Sequence, residues 1–125
     1  MIASLFRTAV ITSGILYLCA TPAQAVEINT LLDLKSACIS ATMVNQTSCS
    51  SYIDGVIGAY WASVALLKEH NLHMEFFCTT KSEEHDMKSD RVYVRKYIMS
   101  RPDEDTRHAG RVIFEALHEA YGCKA

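Results

Sequence analysis

The cysteines and histidines, five of each, are the residues of this chain best suited to chemistry. A thiolate beside an imidazole supplies the nucleophile and base of a thiol hydrolase, and Cys/His sets also hold zinc. Spacing supports neither pattern. Cys19, Cys38, Cys49, Cys78 and Cys123 include no C-x-x-C pair. His70 and His73 are three residues apart and can share a helix face, but nothing in the spacing supplies a third ligand. A solvated or helix-capping role accounts better for them and for His85, His108 and His118. The acidic pairs Glu83/Glu84 and Glu104/Asp105 suit acid and base work. Each falls at an expected helix start, where carboxylates are favoured by the helix dipole. The residues therefore read as a non-enzyme, with no metal and no other cofactor.

The cysteines also bear on compartment. Arg7, an apolar stretch from Ala9 to Cys19, and Ala23-Gln24-Ala25 form the n-region, h-region and cleavage site of an export signal. The apolar run is shorter than the roughly 20 residues of a membrane span, and Tyr17 and Leu18 before Cys19 do not suit lipoprotein processing. The expected division is a signal peptide over 1–25, cleaved after Ala25, and one domain over 26–125, long enough for a modest core. Cys38, Cys49, Cys78 and Cys123 remain, an even number that reads as two disulfides in an oxidising compartment. The mature part carries 11 basic and 14 acidic residues, a net charge of −3. That balance argues against nucleic acid and against an anionic membrane surface.

Four amphipathic segments would position these residues. The first, about 28–42, repeats Ile28, Leu31, Leu32, Leu34, Cys38 and Ile39 at helical spacing, with Asn29 or Thr30 as its cap. Asn45 to Ser48 reads as the following loop. The second, about 48–71, draws a stripe of Ile53, Val56, Ile57, Tyr60, Val64 and Leu67, with Ser48 or Ser50 as cap. Its other face is small: Gly55, Gly58, Ala59, Ala62 and Ala65. That face suits either packing inside the bundle or a dimer contact, and Trp61, off the main stripe, either the core or an interface. The third, about 84–99 starting near Ser82, turns Met87, Val94, Tyr97 and Ile98 inward. Lys88, Arg91, Arg95 and Lys96 make its other side basic. The fourth, about 103–121, has Pro102 beside its first turn, acids at 103–105, and Gly122 at its end.

Four helices with short joints imply an all-α, up-down bundle. Cys38 and Cys49 then flank the first turn at one end. The second helix spans about 35 Å at 1.5 Å per residue, so Cys78 and Cys123 lie at the other end. A disulfide needs Cα atoms within about 7 Å. The expected pairs are Cys38–Cys49 and Cys78–Cys123.

Several motifs carry a family resemblance. Cys49-Ser-Ser-Tyr52-Ile53-Asp-Gly55-Val56 resembles the C-x-x-Y-I-x-G motif of the Tai/Rap family of type VI secretion amidase immunity proteins. The likeness continues at Phe77-Cys78-Thr79-Thr80, at Val94 to Ile98, at Arg101-Pro102-Asp103 and at Arg107-His108-Ala109. It ends with Ala116-Leu117 and Ala120-Tyr121-Gly122-Cys123. Thr79 and Thr80 stand where the family usually has Ile-Pro. The resemblance implies a periplasmic helical protein, often a homodimer, whose partner is a peptidoglycan amidase. It would block the cleft holding that enzyme's cysteine and histidine and do no chemistry itself. The contacts are expected from the polar segment 79–90, including Thr79, Thr80, Lys81 and Glu84, and from Lys88, Arg91 and Arg95 on the third helix; a mobile linker is the competing reading of that segment. The rival functions are a periplasmic acid-stress chaperone and another exported binding module.

Overall fold

A computed structural model describes residues 26–72 and 85–122. They form α1 (Leu31–Ile39), α2 (Met43–Glu69), α3 (Met87–Ser100) and α4 (Ala109–Tyr121). The described part is all-α, as the periodicity requires. Residues 1–25, where an export signal is expected, the segment 73–84 and residues 123–125 lie outside the described residues, and with them Cys78, Cys123 and the second expected disulfide.

α1 starts where a polar cap meets an apolar run. Thr30 accepts from the Asp33 amide, and the Asp33 carboxylate accepts in return from the Thr30 amide at 2.8 Å. This reciprocal box satisfies two N–H groups that no helical carbonyl can reach. Those bonds, led by the one from the Thr30 backbone, hold the Asp33 carboxyl below its ordinary pKa. α1 stops at Ser40, short of the expected 42. The Ser40 side chain bonds Thr42 and Asn45, and its carbonyl accepts from Gln46 Nε2 at 2.8 Å. Such local side-chain bonds compete with continuation of a helix. Thr42, rather than Ser48 or Ser50, caps α2. The segment Asn45–Ser48, expected as a loop, lies within the first two turns of α2. Cys38 and Cys49 are joined across this hairpin, with Cα atoms 5.0 Å apart.

α2 is 27 residues long, roughly 40 Å at the usual rise, and packs against all three other helices. Ile53, Ile57, Tyr60 and Val64 meet Leu31 and Leu34 of α1, Val94 and Ile98 of α3, and Val112, Ile113 and Leu117 of α4 in one core. Each such aliphatic side chain contributes about 1.5–3 kcal/mol by leaving water. Trp61 belongs to this core, only 8% exposed, and Met87, expected to face inward, is 36% exposed.

The small-residue face of α2 is not packed inside the bundle. A Cβ added at Gly55 or Gly58 would meet nothing within 4 Å, and Ala59, Ala62 and Ala65 are exposed. Glycine inside a helix costs about 0.5–1 kcal/mol relative to alanine. Gly55→Ala and Gly58→Ala should therefore each stabilise the protein by about that amount in urea unfolding. A loss of stability instead would mean that this face is covered in solution, as a homodimer through α2 would require.

α4 begins at Ala109, not near 103, and Pro102 lies in the preceding loop. The carboxylates expected in a first helical turn are used elsewhere. Asp103 pairs with Lys35 at 2.6 Å, and Lys35 also donates to the Arg101 carbonyl at 2.7 Å. Asp105 accepts from the backbone and guanidinium of Arg107. The loop is further sewn to the chain before α1: Leu31 N–H donates to the Arg107 carbonyl and Ala109 N–H to the Asn29 carbonyl, both at 3.0 Å. Six residues of tertiary bonding thus replace a turn and a half of helix. At the other end of the third helix, Asp86 rather than Ser82 caps α3.

Candidate binding surface

α3 decides which charged groups face outward. Arg91 is held by Asp54 of α2 through two bonds of 2.6 and 2.7 Å, an arrangement that strengthens the guanidinium's hold on its proton. Arg95 donates to the carbonyl of Cys38 at 2.9 Å, reaching the end of α1 beside the disulfide. Both arginines expected to meet a partner are therefore engaged with their own bundle. Lys88 and Lys96 are outward, and Arg95 is exposed as well despite its bond to Cys38. Between them lies a shallow groove of about 490 Å³ lined by Lys88, Ser89, Val92, Tyr93 and Lys96. Val92 is 64% exposed at its centre. A second hollow continues toward α4, bounded by Tyr93, Lys96, Tyr97, Ser100, Arg101 and Glu119. Thr79, Thr80, Lys81 and Glu84 lie outside the described residues.

The groups considered for chemistry are placed differently from one another. Cys38 and Cys49 are a disulfide. His70 ends α2, and His108 caps α4 by accepting from the Gly110 amide at 3.2 Å. Among the described residues, no group of three or more His, Cys, Asp or Glu is placed to hold a metal ion. One carboxylate escaped the reading of the sequence. Asp90, placed at the end of a polar segment, is fully buried. It accepts from Trp61 Nε1 at 2.7 Å and from the Tyr121 hydroxyl. His85 Nδ1 is 3.3 Å from the same carboxylate, and the His85 ring stacks on Trp61 at 3.9 Å. The cluster pins the start of α3 to α2 and α4. Its signal was present: residues 90, 94, 97 and 98 share one helical face, so Asp90 lies on the stripe that buries Val94, Tyr97 and Ile98.

A second polar cluster braces the loop before α4. Arg107 spans Asp105 and Glu115, and Tyr97 donates to Glu115 at 3.0 Å. The Arg107 side chain holds the Asp105 carboxyl down to about 2, from 3.8. Burial, then the Glu115 bond, pushes the Tyr97 phenol up to about 12. The signs follow. The Asp105 contribution to stability is present above about pH 4 and is lost as pH falls through about 2. That of Tyr97 is present below about pH 10 and is lost as pH rises through about 12. Carboxyl titration by NMR should place Asp105 near 2 and return it toward 3.8 in Arg107→Gln. An unperturbed Asp105 in the parent protein would contradict this arrangement.

With the bundle and its outward face described, comparison with known families becomes informative. The family model of Rap1a immunity proteins matches residues 30–123. The chain belongs to the Rap1a immunity protein family. The match runs from the capping threonine of α1 to just past the end of α4, so it covers the whole described bundle. It agrees with the resemblance carried by the motifs from Cys49 to Cys123 and implies a cognate effector as the partner. Neither a curated protein nor a solved structure matches the chain. Within a Rap1a-type bundle, Arg101, Asp103, Arg107 and His108 acquire physical meaning. Asp103, Arg107 and His108 brace or cap the α3–α4 junction, and the backbone carbonyl of Arg101 accepts from Lys35.

Proposed function

We propose that this protein is a periplasmic immunity protein of type VI secretion that binds a peptidoglycan amidase effector and occludes its active-site cleft, without catalysis of its own. The observation that carries this reading is the Rap1a family match over residues 30–123. The outward face of α3 supports it: an apolar strip of exposed Val92 and half-buried Tyr93 between Lys88 and Lys96. Exposed cations speed association with an acidic partner and set specificity, while the apolar centre supplies affinity. The preceding polar segment, with Thr79, Thr80, Lys81 and Glu84, completes the contact. Standard interfaces bury about 1,600 Å² in total. Protection against few toxin molecules calls for a Kd of order nanomolar or below, about −12 kcal/mol.

The export signal expected over residues 1–25 fits the same reading, because an amidase acting on the cell wall must be met outside the cytoplasm. Mature protein should begin at Val26. The test is co-expression of the exported chain with a candidate peptidoglycan amidase effector in the periplasm. Lysis should stop and a complex should elute on size exclusion; unchanged lysis with no complex would refute immunity to that enzyme. The chaperone reading has one observation of its own, exposed Leu32, Ile39 and Met43 near the disulfide hairpin. Suppression of aggregation of unrelated clients at about pH 3 would favour it.

A further inference from the structure

The hollow where α3 meets α4 contains an arginine unlike its neighbours. Arg91, Arg95 and Arg107 each have acceptors within the bundle. Arg101 has none: its Nε is buried and lacks a hydrogen-bond partner among the described residues. A buried donor left unmatched is costly in a folded protein, so the bundle itself leaves the Arg101 guanidinium unsatisfied, and Arg101 lines the hollow. The two nearest internal candidates are already occupied. Asp105 is gripped by Arg107, and Glu115 is shared between Arg107 and Tyr97.

The guanidinium is also held in place. It lies over the Tyr97 ring at 4.2 Å from the centroid. Stacking of this kind fixes the plane of the fork without consuming its edge donors. Tyr93 stands beside Tyr97, with ring centroids 6.4 Å apart. Lys96, Ser100 and one acid, Glu119, complete the lining. Neither Lys96 nor Arg101 forms an ion pair with Glu119 or any other described carboxylate. The hollow is about 250 Å³, below the roughly 300 Å³ at which small-molecule sites begin, but roomy enough for one side chain. It shares Tyr93 and Lys96 with the groove over Val92, so a chain lying in the groove passes its mouth.

We infer that this hollow receives a single carboxylate side chain, Asp or Glu, from the partner protein, bound by the Arg101 fork and Lys96 beside the edges of Tyr93 and Tyr97. The inference rests on the immunity reading above for the identity of the partner. It moves the specificity determinant from Arg91 and Arg95, which are internally engaged, to Arg101 and Lys96. Charge-assisted bonds to a planar fork discriminate a carboxylate from its amide, so the acidic residue on the effector would decide which effector is recognised.

The experiment is calorimetric titration of the mature exported protein with its cognate amidase, for the parent and for Arg101→Met, Arg101→Lys, Lys96→Ala and Glu119→Gln. Arg101→Met should weaken binding about 10- to 100-fold, the range of one lost charge-assisted contact. Arg101→Lys should restore little of it, because a point charge lacks the fork. Lys96→Ala, at an exposed position that should leave folding intact, should weaken binding several-fold and reduce its salt dependence. Glu119→Gln should tighten it by relieving repulsion. Absence of a complex with the parent protein would refute the immunity reading itself. A tight parent complex that Lys96→Ala and a folded Arg101→Met leave within two-fold would refute the acid-receiving hollow alone. Should Arg101→Met unfold, the responses to Lys96→Ala and Glu119→Gln decide.

Discussion

Asp90→Ala is expected to lower the unfolding free energy by about 3–5 kcal/mol, because two donors lose their shared acceptor and each unmatched buried group costs about 1–3 kcal/mol. The carboxylate is fully buried and takes bonds from Trp61 and Tyr121. It therefore ties the first turn of α3 to the middle of α2 and the last turn of α4. For a domain of about 100 residues, 1 kcal/mol corresponds to roughly 4–8 °C, so the midpoint should fall by roughly 15–30 °C. That is a large part of the 5–15 kcal/mol typical of whole domains. Asp90→Asn keeps an acceptor for the Trp61 N–H and should cost less than half as much. Since Trp61 is the chain's single tryptophan, its fluorescence reports the same site: Asp90→Ala should red-shift the emission as water reaches the indole. Stability within about 1 kcal/mol of the parent would mean that the cluster does not hold the three helices together.

The disulfide is expected to have the second-largest effect. Cys38 and Cys49 are 11 residues apart in sequence, and closing a loop of that size removes unfolded-state entropy worth about 2–3 kcal/mol. The double variant Cys38→Ala/Cys49→Ala should be destabilised by that amount in urea, with little change in helix content, since Thr42 and Ser40 still turn the hairpin. The same measurement bears on the other expected pair. If Cys78 and Cys123 are bridged, a reductant should destabilise the parent by more than the double substitution does, and should destabilise the double variant further. A double variant indifferent to reductant would remove the second bridge. Peptide mapping without reduction would identify the partners directly.

Much of the architecture is local in origin and was legible for that reason. Apolar residues at three- and four-residue spacing identify all four helices. Gly122 marks an end, and Thr30, one of two candidate caps with Asn29, a start, because caps and periodicity depend on residues only a few positions away. The Cys38–Cys49 pair also follows from order along the chain, since a tight hairpin must bring its two flanks together. The family motifs are equally a property of the linear sequence. The boundaries that failed are those where a helix-compatible residue found a stronger tertiary partner. Asp103 and Asp105 look like first-turn acids, yet Lys35 and Arg107 claim them and α4 starts at Ala109.

What only the tertiary structure decided is the fate of each charge. Asp90 meets Trp61 across 29 residues, Arg91 meets Asp54 across 37, and Arg95 meets the Cys38 carbonyl across 57. No periodicity carries that information, because a charged side chain on a helix can face water or a distant partner with the same sequence spacing. Membership of a basic face therefore did not determine which cations are engaged within the bundle, as Arg91 and Arg95 are, and which are not, as Lys88 and Lys96. The glycine-rich face of α2 shows the converse. Small residues at helical spacing suit close packing, but whether another helix lies against them depends on where the remaining three helices fit. By itself the sequence determined the helices, the first disulfide and the family. Packing determined which polar groups became structural braces and which were left facing outward, because burial is a property of the assembled helices rather than of any one of them.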